Sequence, residues 1–326
     1  MTGGYFLGFR WLLCISLLGC SIHVYADEAW QPPVVTADQK RANEEIRRNQ
    51  VRIGNSSIWI WQSEYDKLMN EGVLPRGVPG VSLRGPISKN DVPIFRKLLA
   101  PYLDKNYFKK NPTPQWYKPN PYDEGYWVSL DSEGGDVYAA MTIGRMFRKA
   151  RVHAQVGWSG KCMDSCVFLL AGAVKRSTFS GGPVGIHRPY SIDTDAVSFE
   201  ELQTRTTKLG ADVSAYLREM NIPSSLYESM KLIPPENIKI LSYSELKAFG
   251  LYDRDPVFAE LNDNMEANLA RVSKSEFLLR KALSDQCRRE GFKRLGPSED
   301  WAGMLEFAKM SRECDEKTIY KDVIGK

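Results

Sequence analysis

The sequence lacks the features that mark a nucleic-acid-binding, fibrous or membrane-embedded protein. Its 44 basic residues exceed its 40 acidic residues by only four, and the excess is dispersed, so no basic surface for nucleic acid or anionic lipid is predicted. It has no internal repeat and no low-complexity tract. Because 43% of the residues are apolar and 26% are charged, the composition is that of a globular protein, which excludes collagen, coiled coil and general disorder.

Long apolar runs are also missing, since no stretch of about 18 consecutive apolar residues follows residue 26. Residues 1–26 carry one charge, at Arg10, then an apolar run over 11–18 and a small-x-small pattern that ends at Ala26. This order predicts a signal peptide cleaved after Ala26, and therefore a periplasmic or secreted protein. An alternative is a lipoprotein processing site at Leu17-Leu18-Gly19-Cys20, which would anchor the chain at Cys20.

Histidine is scarce, and the cysteines form no Cys-x-x-Cys pair. The chain has three histidines, of which His153 and His187 follow the predicted leader. A structural zinc site takes four ligands, most of them Cys or His at characteristic spacings. We therefore predict no metal site, and no motif in the sequence predicts a cofactor.

The even number of cysteines beyond the leader predicts disulfides. Cys162, Cys166, Cys287 and Cys314 would meet an oxidising compartment, where such cysteines pair. Four cysteines allow three connectivities. We favour Cys287–Cys314, because both lie in one C-terminal helical region, and leave Cys162 and Cys166 either as a local pair or as buried thiols.

Composition shifts divide the chain into four segments. These are a signal peptide over 1–26, an N-terminal extension over 27–77, a core domain over 78–255 and a helical C-terminal extension over 256–326. In the first extension, residues 37–52 predict a solvated helix, and the alternating residues 56–61 predict a short strand or buried turn. Residues 105–123, rich in Pro, Asn, Lys and Tyr, predict an exposed insertion.

Strand and helix signals alternate through the core domain. The predicted elements are strands over 80–85, 126–130, 152–156 and 182–186, helices over 88–103, 137–149, 162–171 and 199–220, and a strand-cap-helix unit over 241–251. Such alternation favours an α/β fold with a core of parallel strands joined by crossover helices.

Two short motifs open predicted helices, and a third closes a strand. The turn Asp131-Ser132-Glu133-Gly134-Gly135-Asp136 has two glycines that let backbone N–H groups approach a ligand, although it also suits a tight connection. Ser165 precedes an apolar helix, where a serine is either a cap or a nucleophile placed in the helix field. His187 ends an apolar strand in Gly185-Ile186-His187-Arg188-Pro189.

These motifs, with Leu241-Ser242 and Ala248-Phe249-Gly250-Leu251, resemble the Clp endopeptidase family within the crotonase-like superfamily, and more narrowly its exported bacterial members. The likeness spans about residues 80–253. It implies a Clp/crotonase-like core and a serine hydrolase that acts on peptide bonds. By the same resemblance, Ser165 is the nucleophile, His187 is the general base, and the N–H groups of Cys166 and of Gly134 or Gly135 form the oxyanion hole.

The family orients its histidine with an aspartate a few residues before the Leu-Ser pair, and this chain departs from that pattern. Counting back from Leu241-Ser242 reaches Ile238, counting forward from His187 reaches Glu236, and Asn237 lies between them. Asparagine orients histidine in some cysteine proteases, and glutamate serves in other triads. We assign Asn237 the third role, with Glu236 or no third residue as alternatives.

We expect an exported serine peptidase that acts on a peptide or protein substrate. The alternatives are a catalytically inactive Clp-like binding or scaffold protein of the cell envelope, and a crotonase-type enzyme that binds an acyl thioester. A homo-oligomer fits the resemblance, but the two extensions predict that no large chambered ring forms. No motif for an ATPase partner is identifiable, and no nucleic-acid partner is expected.

Overall fold

The fold is described from a computed structural model, which describes residues 41, 44, 45, 47–61, 81–103, 126–157, 160–178, 182–190, 198–296 and 301–323. The predicted signal peptide, the alternative anchor at Cys20 and the predicted insertion over 105–123 lie outside the described residues.

The described elements alternate as the sequence predicts for an α/β protein. The strands are β1 (Gln50–Arg52), β2 (Ile58–Trp61), β3 (Val81–Arg84), β4 (Trp127–Asp131), β5 (His153–Val156), β6 (Cys162–Met163), β7 (Lys175–Thr178), β8 (Val184–Ile186), β9 (Lys239–Ile240) and β10 (Asp253–Arg254). The helices are α1 (Asp91–Leu103), α2 (Val137–Lys149), α3 (Cys166–Gly172), α4 (Phe199–Glu219), α5 (Ser224–Lys231), α6 (Tyr243–Ala248), α7 (Pro256–Leu269), α8 (Lys274–Leu295) and α9 (Trp301–Lys317).

The main sheet has seven strands in the order β1-β2-β3-β4-β5-β7-β10. Its four central strands, from β3 to β7, are parallel, whereas β1, β2 and β10 are antiparallel to their neighbours. Leu130 of β4 is in register with Leu83 and Val156 of the adjoining strands, and all three are buried. Buried parallel strands joined by helices confirm the expected α/β fold.

A second, three-stranded sheet in the order β6-β8-β9 carries the candidate site. Cys162 of β6 pairs in parallel with Val184 of β8, and Gly185 pairs antiparallel with Ile240 of β9. The chain leaves β6 directly into Asp164 and leaves β8 directly into His187. Because β6 and β8 are parallel neighbours, residues that follow them meet at one edge of the sheet.

Helix α2 has the bounds that the sequence predicts, because its start and end signals are both local. The Asp136 carboxylate caps it by accepting the Ala139 N–H at 2.8 Å, and Arg148 and Lys149 occupy its last turn. In α6, Ser242 and Glu245 form a reciprocal capping box, and Gly250 follows the helix with a φ of 68°.

Two predictions of local structure are wrong. Residues 50–52 form β1 rather than the end of a helix, and residues 162–163 form β6, so that α3 begins only at Cys166. Strand β7 and helix α5 were not predicted at all. Strand β7 reads as polar, yet its Arg176 is buried, with hydrogen bonds to the carbonyl oxygens of Ala171 and Ala173.

Buried ionic contacts link the chain around residue 255 to the core. The Asp255 carboxylate is fully buried, caps α7 and accepts hydrogen bonds from Arg148 at 3.0 Å and Arg176 at 3.4 Å. From that point to Lys317 the described chain is helical, as predicted. No helix in the described ranges is both long and apolar enough to cross a membrane.

Candidate active site

Two disulfides are present, the favoured Cys287–Cys314 and the local pair Cys162–Cys166, which the sequence left open. The Cys162–Cys166 disulfide closes the connection between β6 and α3, so it brackets the candidate nucleophile Ser165. Disulfides persist in oxidising compartments, which favours a location outside the cytoplasm.

Ser165 stands where α3 begins, but its side chain does not cap that helix. The residue is 0% exposed, and its Oγ has no hydrogen-bond partner within the part of the chain that the structure describes. A buried hydroxyl without a partner is uncommon in native proteins, because it forfeits its hydrogen bonds to water. Within the described residues, the hydroxyl therefore contributes no hydrogen bond to the fold.

His187 is 4% exposed and contacts other groups through both ring nitrogens. Its Nδ1 lies 3.0 Å from the carbonyl oxygen of Arg188, an acceptor that requires a proton on Nδ1. Its Nε2 lies 3.3 Å from Oδ1 of Asp164. The Tyr190 ring packs beside the imidazole, with a centroid separation of 5.7 Å.

Asp164 is the site residue that the sequence analysis did not assign. It is 8% exposed and has a φ of 52°, a left-handed conformation that aspartate tolerates better than most residues. Burial raises the pKa of its carboxyl group, and this effect is partly offset by His187 and by the N–H groups of Ser165 and Gly135. The sequence did not point to Asp164, because the Clp family that the motifs resemble takes its aspartate from a segment just before the Leu-Ser pair. An aspartate adjoining the candidate serine, between two cysteines, was the available signal.

The two glycines of the predicted turn serve different purposes. A Cβ on Gly134 would lie 2.7 Å from Oδ2 of Asp164, so a glycine there leaves room for that carboxylate. The Gly134 N–H is already used, since it donates to Ser132 Oγ at 3.1 Å. The Gly135 N–H instead approaches the Asp164 carboxylate. Of the two, Gly135 is the one whose amide is directed into the site.

Backbone hydrogen bonds place this turn between two segments of the chain. The Ile87 N–H donates to Gly134 O at 2.8 Å, and the Met163 N–H donates to Ser132 O at 3.0 Å. A Cβ on Gly135 would lie 2.3 Å from Ile87 O, so this close approach also requires glycine. Cys166, the other predicted donor, is buried as the first residue of α3.

The predicted third residue lies apart from the imidazole contacts. Asn237 and Glu236 are both exposed, and the Asn237 N–H donates to Pro234 O at 3.0 Å. His187 directs Nδ1 at a backbone carbonyl oxygen and Nε2 at Asp164. Among the described residues we therefore find no contact by which Asn237 or Glu236 would orient His187.

The other described histidine has a structural environment. His153 lies in β5, where Nε2 is 2.9 Å from Ser177 Oγ and the ring packs 3.8 Å from that of Trp127. Burial lowers its pKa to about 2, and Lys175 and Arg254 act in the same direction. A histidine kept neutral in this way is a core residue. The described residues also contain no cluster of three or more Cys, His, Asp or Glu side chains suited to a metal.

No family model matches the chain, and no curated protein is similar to it in sequence.

Proposed function

We propose that this chain is an exported serine hydrolase with a Clp-like core that cleaves peptide bonds in a peptide or protein substrate. The single observation that carries the proposal is the buried, unpartnered hydroxyl of Ser165, adjoining a residue that contacts the imidazole of His187. The backbone supports this closeness, because the Asp164 N–H donates to Gly185 O at 3.0 Å, two residues before His187. The motif resemblance supplies the substrate class.

In the proposed acylation step, Ser165 Oγ forms a bond to the scissile carbonyl carbon, and the carbonyl π pair moves onto oxygen. His187 Nε2 takes the hydroxyl proton. The tetrahedral intermediate collapses, the C–N bond breaks, and the leaving amine receives that proton. Water then adds to the acyl-enzyme through the same base, which releases the acid and restores the Ser165 hydroxyl.

Ser165 Oγ and His187 Nε2 are not hydrogen bonded in the described structure, so the proposal requires the two atoms to approach each other before attack. The Cys166 N–H at the start of α3 would receive the developing oxyanion, and the Gly135 N–H would join it on leaving the Asp164 carboxylate, which it approaches in the described structure. Removing one such donor in a comparable site costs about 3 kcal/mol of transition-state stabilisation.

A second candidate is an inactive binding or scaffold protein of the cell envelope. It is favoured by the same unformed contact between Ser165 and His187, and by the departure from the family's third residue. The two candidates differ in one property, because only a hydrolase needs an activated serine.

A fluorophosphonate probe, read out by intact-protein mass, tests the proposal. The Ser165 oxygen displaces fluoride from phosphorus, so each active site gains one phosphonyl group. We expect labelling of the wild type, none of Ser165→Ala, and undiminished labelling of Ser284→Ala, which removes another fully buried serine. His187→Gln should abolish labelling, whereas His153→Gln should retain it. A folded wild type that gains no label at Ser165 supports the scaffold instead.

A further inference from the structure

We propose that Asp164 supplies the carboxylate of this site, acting through His187 as a positioning residue that stabilises the imidazolium formed when Ser165 loses its proton. This inference rests on the proposed function. It assigns to the residue preceding the nucleophile the role for which the sequence favoured Asn237.

The contact itself is the first observation. Oδ1 of Asp164 lies 3.3 Å from Nε2 of His187, both residues are nearly fully buried, and Oδ1 has no hydrogen-bond partner within the described chain. Charges interact strongly in such an environment, because water is largely excluded. Among the described residues, His187 is the charged group that acts on the Asp164 carboxyl, and the ring of Tyr190 packs beside the imidazole.

The local backbone is arranged around this carboxylate, which is the second observation. Asp164 adopts a left-handed conformation, its N–H is tied to Gly185 O at 3.0 Å, and its carbonyl oxygen accepts the Val167 N–H at 3.1 Å. Gly134 leaves the space that the carboxylate occupies. The Cys162–Cys166 disulfide closes the segment on both sides.

The location of Nδ1 explains why a carboxylate at Nε2 is useful. Because Arg188 O holds the proton on Nδ1, Nε2 is the nitrogen that takes the serine proton. The resulting imidazolium carries its new N–H beside Asp164 Oδ1, where an ionised carboxylate stabilises the positive charge. Because burial raises the pKa of this carboxyl, its ionised form lowers stability at this position, and an uncharged side chain would be easier to accommodate.

The first test follows the rate of fluorophosphonate labelling against pH, with both disulfides intact. In Asp164→Asn, which keeps the shape of the side chain, we expect labelling at neutral pH to slow by about 10²- to 10⁴-fold. We also expect the low-pH limb of the profile to move to lower pH, because no carboxylate then favours the protonated imidazole. A purely structural role would slow labelling without moving that limb.

Asp131→Asn is the matched control, because burial also raises the pKa of the Asp131 carboxyl but His187 is not among the groups that influence it. Its labelling profile should stay close to that of the wild type. Unchanged labelling in Asp164→Asn overturns the inference while the proposed function stands. Faster labelling also overturns it, since Asp164 would then compete with Ser165 for His187.

A second measurement needs no activity. Carbon-13 NMR of selectively labelled aspartate follows the Asp164 carboxyl titration, which Asp164→Asn identifies. Because His187 lowers the pKa of this carboxyl, His187→Gln should raise the pKa further. An unchanged titration overturns the pairing. If the titration moves but the wild type takes no label, the pair exists and the proposed hydrolase is what fails.

Discussion

Nε2 of His187 lies 3.3 Å from Oδ1 of Asp164, the residue that immediately precedes the buried hydroxyl of Ser165. The imidazole therefore faces an acid on the residue that precedes the candidate nucleophile in the same turn. Since Asp164 stands in a left-handed conformation and Ser165 in a right-handed helical one, the two side chains leave the backbone in different directions. The side chains of two consecutive residues can thus be placed near one histidine without occupying the same space.

The space for Asp164 depends on Gly134, which gives the first prediction. In Gly134→Ala, the new Cβ would come within 2.7 Å of Asp164 Oδ2, so the carboxylate must move away from His187. We expect labelling by the fluorophosphonate to fall by at least about tenfold, the effect of some 1.4 kcal/mol on the barrier.

Gly54→Ala provides the comparison for Gly134→Ala. Gly54 also has a positive φ, 54°, but a Cβ there would meet nothing within 4 Å. Both variants place a Cβ at a positive φ, which costs about 1 kcal/mol or more, and only Gly134→Ala displaces Asp164. Equal labelling rates in the two variants would contradict the argument.

The two disulfides predict opposite effects on labelling and on stability. Cys287 and Cys314 are 27 residues apart, so replacing both with alanine should cost about 3 kcal/mol of unfolding free energy and leave labelling unchanged. Cys162 and Cys166 are separated by four residues and close a much shorter loop, so their double replacement should cost less stability but slow labelling, because the turn with Asp164 and Ser165 loosens.

Denaturant unfolding and labelling of the two double variants are measured side by side. If the Cys162/Cys166 variant labels at the wild-type rate while the Cys287/Cys314 variant labels slowly, the link between the first disulfide and the site is wrong.

The buried carboxyl predicts that Asp164→Asn is more stable than the wild type at neutral pH. A carboxyl whose pKa is raised on folding contributes stability that is fully present below its unfolded pKa of about 4. That contribution is lost as the pH rises through the raised pKa of the folded state. Asparagine carries no such dependence. The melting temperature of the variant should exceed that of the wild type at pH 7, and the difference should shrink as the pH falls towards about 4.

Melting scans from about pH 4 to 8 check this prediction. Asp136→Asn serves for comparison, since asparagine caps a helix as well as aspartate does, and its melting temperature at about pH 7 should stay close to that of the wild type. A melting temperature for Asp164→Asn below that of the wild type throughout this range would show that the ionised pair stabilises the fold.

The sequence predicted structure correctly where the determining residues are close together in the chain. The bounds of α2 follow from an acidic cap, an apolar face and a basic last turn, and the disulfide at Cys287 follows from two cysteines in one helical region. Strand β7 was missed because the burial of Arg176 depends in part on carbonyl oxygens of distant residues, Met220 and Gly250. No pattern of apolar residues along the chain reveals such partners.

The site was predictable only in part for the same reason. Ser165, His187 and the glycine turn carry recognisable motifs, whereas the role of Asp164 depends on the parallel pairing of β6 with β8. That pairing sets the backbone of residue 164 against Gly185 and so brings the carboxylate to the imidazole. A short strand such as β6, at only two residues, leaves too weak a pattern for this pairing to be inferred from sequence.

His153 gives the last prediction, on acid stability. Its pKa falls to about 2 on folding, chiefly because it is buried, whereas an unfolded histidine titrates near about 6.5. The neutral ring thus contributes stability above about pH 6.5. That stability is lost as the pH falls, because the histidine binds a proton in the unfolded chain but stays neutral in the native state. The loss approaches about 1.4 kcal/mol per pH unit below the unfolded value.

His153→Gln should weaken this dependence, since glutamine is uncharged and still able to hydrogen-bond Ser177. Unfolding free energies between about pH 5 and 7 should therefore fall less steeply for the variant than for the wild type. His187→Gln is the informative counterpart, because His187 lies beside an acid while Lys175 and Arg254 act on His153. Removal of His187 should leave the steep acid dependence in place. If His187→Gln abolished that dependence and His153→Gln did not, the acid sensitivity would arise at the site rather than in the core.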